Sequence, residues 1–137
     1  MNDSSRYTML FARILLSVVF LVSGTLKIVG FNTMVGYAAA VGLPLPAVSL
    51  AIAAAIELIG GVMLLTGYKA RVAAWVLFAY LIPTTLLFHH FWAIRGPEQL
   101  TQMVNFLKNL AIMGGLLVVT SAGPGRLSLG NPATESR

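Results

Sequence analysis

Four stretches of the chain are almost uninterrupted in their apolar character, and polar or helix-breaking residues gather between them. They are LFARILLSVVFLVSGTLKIV (10–29), AVSLAIAAAIELIGGVMLLTG (47–67), RVAAWVLFAYLIPTTLLFHHFW (71–92) and MVNFLKNLAIMGGLLVVTSA (103–122). Each reaches the roughly 20 residues that, at 1.5 Å per residue, cross a hydrocarbon core of about 30 Å. A helix that is apolar on every side must be buried in protein or in lipid. Four such helices in a short chain predict an all-α, integral membrane four-helix bundle.

The intervening segments set the order of the bundle. GFNTMVGYAAAVGLPLP (30–46) has no charge but carries Phe31 and Tyr37. Asn32 can cap a short helix, Gly42 can end it in the left-handed conformation, and Pro44 and Pro46 prevent its continuation. The segment reads as a short interfacial helix between the first two spans. GYKAR (67–71) reverses the chain tightly, and AIRGPEQLTQ (93–102) reads as a polar, exposed connection. Small residues at VSG (22–24) resemble a signal-peptidase site, but the apolar run continues beyond them, so the first stretch reads as a retained span. The expected organisation is one membrane domain over 1–137 with a tail from 123 to 137.

Composition supports this picture. Of 137 residues, 58% are hydrophobic and 9% charged, against about a quarter charged in soluble domains. The net charge of +5 comes from single residues at the ends of the apolar runs, with no basic patch interleaved with aromatics. Nucleic acid is therefore not an expected partner. Arg6, Arg13, Lys69, Arg71, Arg126 and Arg137 fall on one side; Lys27, Arg95 and Lys108, with Glu98, fall on the other. The positive-inside rule places both termini in the cytoplasm. Cysteine is absent, which excludes disulfides, thiolate metal sites and dithiol redox cycles. A weak internal echo relates IGGVMLLTGYKAR (59–71) to MGGLLVVTSAGPGR (113–126), consistent with two helix hairpins in parallel repeat.

Against this apolar background a few polar residues stand out by depth. Glu57 lies near the middle of the second span, where a charge costs about 2.5–3.5 kcal/mol on insertion scales. Candidate partners come from the other spans: Lys27, with Ser23 one turn before it; Lys108, in a stripe with Asn105 and Asn109; and His89 and His90. Lysine stems are long enough to reach inward from a shallower position. Ala53, Gly60 and Gly61 on the Glu57 face, and Gly114 and Gly115 in the last span, predict close helix approach along a small-residue seam. Pro83, followed by Thr84 and Thr85, predicts a mid-depth bend whose freed carbonyls the threonines resatisfy.

Lys27, Glu57, His89, Lys108 and Asn109 form the candidate site, as a ligand, quinone or proton site or as a structural ion pair that fixes helix register. Consecutive helical residues diverge by about 100°, so His89 and His90 cannot clamp one iron; neither haem nor metal is expected. One histidine is expected to face the polar cluster and the other to join Trp92 in the interfacial aromatic belt. The sequence has no nucleophile motif, phosphate loop or carboxylate pair, so no catalytic residue is assigned and no activity of its own is expected.

RILLSVVFLVSGTLKIVGF, YAAAVGLPLP, IELIGGVMLLTGYKAR, LLFHHFW and NFLKNLAIMGGLLVVTSAGPGRLSLG, in this order over about residues 12–130, resemble the DoxX family of small four-helix bacterial membrane proteins. The resemblance implies the bacterial inner membrane and an association with membrane redox chemistry, including quinol oxidation and defence against oxidative stress. It implies an accessory or quinone-interacting subunit, with the bilayer, oxidoreductase subunits or a second copy as partners, and quinone or lipid as the bound molecule. Two other readings of the same residues are a proton- or anion-conducting transporter and a scaffold for soluble partners.

Overall fold

The computed structural model describes residues 3–129. Its regular elements are all helical: α1 (Asp3–Val29), α2 (Phe31–Ala40), α3 (Pro46–Thr66), α4 (Ala70–Phe88), a single 3₁₀ turn (Phe91–Ala93) and α5 (Pro97–Ala122). Among the described residues four helices are long and apolar enough to cross a membrane, within Ser5–Val29, Pro46–Thr66, Ala70–Ala93 and Pro97–Ala122. The side on which α1 begins and α5 ends is called here the terminal side, and the opposite one the far side. Arg137 and the rest of the tail beyond residue 129 lie outside the described residues.

Element ends differ from the hydropathy reading where local chemistry competes with it. α5 starts at Pro97, not near residue 103, because proline at the first helical position follows Gly96 at φ 90° and Glu98 sits in the first turn. PEQLTQ is thus helix rather than connection. α4 stops at Phe88, four residues short of the expected end. His90 Nδ1 meets the Leu87 carbonyl at 2.8 Å, and the Phe91 amide turns to the His89 carbonyl at 2.9 Å. His89 and His90 therefore leave the helix, and their divergence is not set by helical geometry.

The residue before α2 is Gly30, without a side-chain cap, and Asn32 lies inside the helix. Its other end behaves as expected. Gly42 (φ 80°) donates to Ala39 O and Leu43 to Ala38 O, the paired bonds of a Schellman motif. Pro46 opens α3 as well as blocking α2. α4 remains helical through Pro83, and Thr84 Oγ1 donates to the Tyr80 carbonyl at 2.9 Å.

Glycine sets the lateral packing. A β-carbon on Gly24 would lie 2.8 Å from Leu58 Cγ, one on Gly61 2.9 Å from Leu21, one on Gly60 2.8 Å from Leu77, and one on Gly115 3.1 Å from Leu16. These approaches join α1 to α3, α3 to α4, and α5 to α1, forming the expected seam. Gly114 is not part of it, having open space around it. Phe20, Leu64, Leu77, Leu116 and Val119 are 0–2% exposed and make an apolar core that lies largely in the terminal half.

After α5, residues 123–129 fold back across the terminal side. Leu129 N donates to Thr66 O at 2.9 Å, and Arg13 Nη2 donates to Leu127 O at 2.6 Å. Arg13 is 1% exposed, and its Nε and Nη1 have no hydrogen-bond partner among the described residues. Any side chain at Gly67 (φ 77°) would run into Arg13 and Ser128, so only glycine can close α3 there.

Candidate functional site

Glu57 is 4% exposed, on the face of α3 that α1 and α4 cover. Three side chains satisfy it. Lys27 Nζ, in the last turn of α1, lies 2.9 Å from Oε1 and 2.8 Å from Oε2. Ser23, one helical turn earlier, donates to Oε1 at 3.1 Å and accepts from Lys27 at 2.8 Å. Tyr80, on α4, donates its hydroxyl to Oε1 at 3.0 Å. Lys27 sits close to the far-side end of α1, and its stem runs down toward the deeper carboxylate. This geometry explains how a bilayer tolerates the acid: the charge is neutralised by an ammonium and stabilised by two hydroxyls.

Further polar contacts lie nearby. Asn109 Nδ2 on α5 donates to Thr85 Oγ1 on α4 at 3.0 Å. His89 Nδ1 meets Gln102 Oε1 at 2.8 Å. Between these groups and α2 is a cavity of about 470 Å³, whose wall includes Ser23, Lys27, Glu57, Tyr80, His89 and Asn109. The rest is mainly apolar, with Phe20 and Leu81 near the buried core and Met34 and Tyr37 from α2. The Tyr37 and Phe88 rings, 5.6 Å apart, link α2 to α4 at its far-side edge. Val19, Ile52 and Leu87 line the cavity yet are 42%, 54% and 41% exposed. They belong to membrane spans, so part of the wall of this cleft lies at the outer surface of the helices.

Lys27, Glu57, His89 and Asn109 are therefore brought to one cavity. Lys108 is not. It is exposed on α5 and makes no ion pair among the described residues. The Asn109–Thr85 hydrogen bond fixes the rotation of α5, and a neighbour about 100° around the helix then faces away. His90 stacks edge-on against Trp92 at 6.4 Å, and Phe91, Trp92 and Phe106 complete an aromatic group. The division of labour between the two histidines follows the sequence expectation. Thr84 bonds a backbone carbonyl as expected, whereas Thr85 accepts from Asn109.

Tyr80 escaped the sequence reading because tyrosine in an apolar run looks like core. A signal existed. Glu57 lies nine residues from the end of α3 at Thr66, and Tyr80 ten from the start of α4 at Ala70. Two antiparallel helices joined by a tight turn must place these residues at one depth. Arg13 was missed as a buried group because flanking charge was its simplest reading.

A family model described as DoxX matches residues 8–90, the part of the chain that holds Lys27, Glu57, Tyr80 and His89. Inner membrane protein YphA of Escherichia coli K12 is 33% identical over 121 residues, which cover 88% of this chain and 86% of that protein. Inner membrane protein YqjF of the same organism is 36% identical over 123 residues, 88% of this chain and 87% of its own. A Surfeit locus protein 4 homolog of Drosophila melanogaster is 33% identical over 70 residues, half of this chain and 26% of that protein. No solved structure gives a significant match.

Proposed function

The chain belongs to the DoxX family and is a multi-pass inner membrane protein, and on that footing we propose that its cleft holds an amphiphilic ligand with a hydrogen-bonding head, of which a quinone is the type. The observation that carries this reading is the cavity of about 470 Å³ within the spans, mostly apolar but with a group of hydrogen-bonding side chains in its wall. Small-molecule sites have this size and this mixture of apolar wall with few polar groups. Its place among the spans, with Val19, Ile52 and Leu87 partly exposed in its wall, suits a ligand that partitions into lipid. In this role the protein is an accessory subunit of a membrane oxidoreductase or oxidative-stress system, retaining the molecule that a catalytic partner turns over.

The apolar core beyond the cleft favours holding over conduction. Leu64, Leu77 and Leu116 are fully buried on the terminal side of the polar cluster, and supply no polar route onward for a proton or anion.

Native mass spectrometry of the protein released from nanodiscs containing decylubiquinone tests the reading. Wild type is expected to retain the quinone, and Ala53→Trp, which puts a large ring into the cleft, to lose it. Equal retention by the two proteins, or none by either, would discard the cleft as the site.

A further inference from the structure

We infer that the cleft accepts only uncharged head groups, and that the Lys27–Glu57 ion pair enforces this because each member already holds its counter-charge. The inference rests on the cleft being a ligand site and adds the class of molecule it takes.

A lysine ammonium has three N–H donors and no acceptor. In this structure Lys27 Nζ lies 2.8 Å from Ser23 Oγ, 2.9 Å from Glu57 Oε1 and 2.8 Å from Glu57 Oε2, so it donates to the serine and sits astride the carboxylate. Glu57 Oε1 also accepts from Ser23 and Tyr80. Among the described residues Lys27 and Glu57 are the only Lys, Arg, Asp or Glu in the wall, and their charges cancel. An anionic head at Lys27 would meet the Glu57 carboxylate beside it and could claim the ammonium only by weakening that pair. That would leave a carboxylate 4% exposed and short of its cation, a strongly unfavourable exchange at this depth. A cationic head competing for Glu57 would strand Lys27 in the same way.

The wall groups with spare hydrogen-bonding capacity carry no carboxylate or ammonium. They include the Asn109 carboxamide oxygen, the second ring nitrogen of His89, the Ser49 and Thr84 hydroxyl oxygens as acceptors, and the Tyr37 hydroxyl. These complement a carbonyl or hydroxyl head. A carboxylate or an amine offers them nothing that offsets a broken ion pair. Specificity thus comes from a cost imposed on the wrong ligand.

Three probes with the same decyl chain separate the alternatives: decylubiquinone, decanoate and decylamine. Retention by full-length protein in zwitterionic nanodiscs at neutral pH is read by native mass spectrometry, with Ala53→Trp reporting partition into lipid. Wild type is expected to hold decylubiquinone and to hold either charged probe roughly tenfold or more weakly. Glu57→Gln frees Lys27 and is expected to gain decanoate. Lys27→Met is expected to gain decylamine. The double variant Lys27→Gln/Glu57→Gln, which carries no charge in the cleft, is expected to keep the preference for the quinone.

Decanoate held as tightly as decylubiquinone by wild type, with both lost in Ala53→Trp, overturns the selectivity while leaving the cleft as a site. No probe held above the Ala53→Trp level removes the cleft reading itself, and the selectivity with it. A folded Glu57→Gln that fails to gain decanoate overturns the role given to Glu57. If that variant does not fold, the wild-type ratio and the double variant decide.

Discussion

Glu57 is paired with Lys27 and hydrogen-bonded by Ser23 and Tyr80, which reach it from neighbouring helices. Hydrogen bonds to a charged group contribute about 1.5–3 kcal/mol. Tyr80→Phe removes one such bond without changing the ring, and is expected to lower unfolding stability by that amount in a mixed-micelle SDS titration. A change within experimental error would mean that the phenol adds nothing to the pair. Lys27→Met should cost more, about 3–5 kcal/mol, because it leaves a buried carboxylate without its counter-ion. At this scale Glu57 and Lys27 were legible in the sequence, since charge in an apolar run is conspicuous. Tyr80 was not, because its chemistry is hidden behind an apolar ring. Lys108 was misplaced for a different reason. Helical spacing says which residues share a stripe but not which way the stripe points, and that rotation is set by the contact of Asn109 with Thr85.

Among the helices, glycine matters where a neighbour touches it. Gly60→Ala would drive a methyl into Leu77 at about 2.8 Å, and overpacking of this kind costs about 1–3 kcal/mol. Gly114→Ala meets open space and should be neutral or, through helix propensity, stabilising by up to about 1 kcal/mol. The same SDS titration on both variants distinguishes them; equal effects would show that α3 and α4 are not packed as described. The returning segment 123–129 is a second element-level feature. Truncation after Ala122 removes the Leu127 carbonyl from Arg13 and the Leu129 amide from Thr66. The expected loss is about 1–3 kcal/mol in the same assay; an unchanged midpoint would make the segment dispensable. The four spans and the short helix were readable from hydropathy. The ends of α4 and α5 were not, because a histidine side chain at a carbonyl and a proline at a first helical position override an average over twenty residues. Small residues predicted a close helix approach but not which helices meet, since helices that are apolar all round carry no face to compare.

The whole molecule has two unlike halves. The terminal side holds the tight core, the covered Arg13 and the exposed Lys69, Arg71 and Arg126; the far side holds the cleft, with Arg95 exposed beyond it. The excess of basic residues on the terminal side supports placing it in the cytoplasm. The chain lacks cysteine, so single cysteines report topology without background. Gln99→Cys, exposed in the first turn of α5, is expected to react with a membrane-impermeant maleimide in intact cells. Tyr68→Cys, in the exposed α3–α4 turn, is expected to react only after the cells are opened. The reverse pattern would invert the orientation.

The cleft lies in the far half, and Leu64, Leu77 and Leu116 close the half beneath it. If the cleft takes its ligand from lipid as proposed, that ligand comes from a single leaflet, and occupancy would follow the composition of that leaflet and be blind to the other.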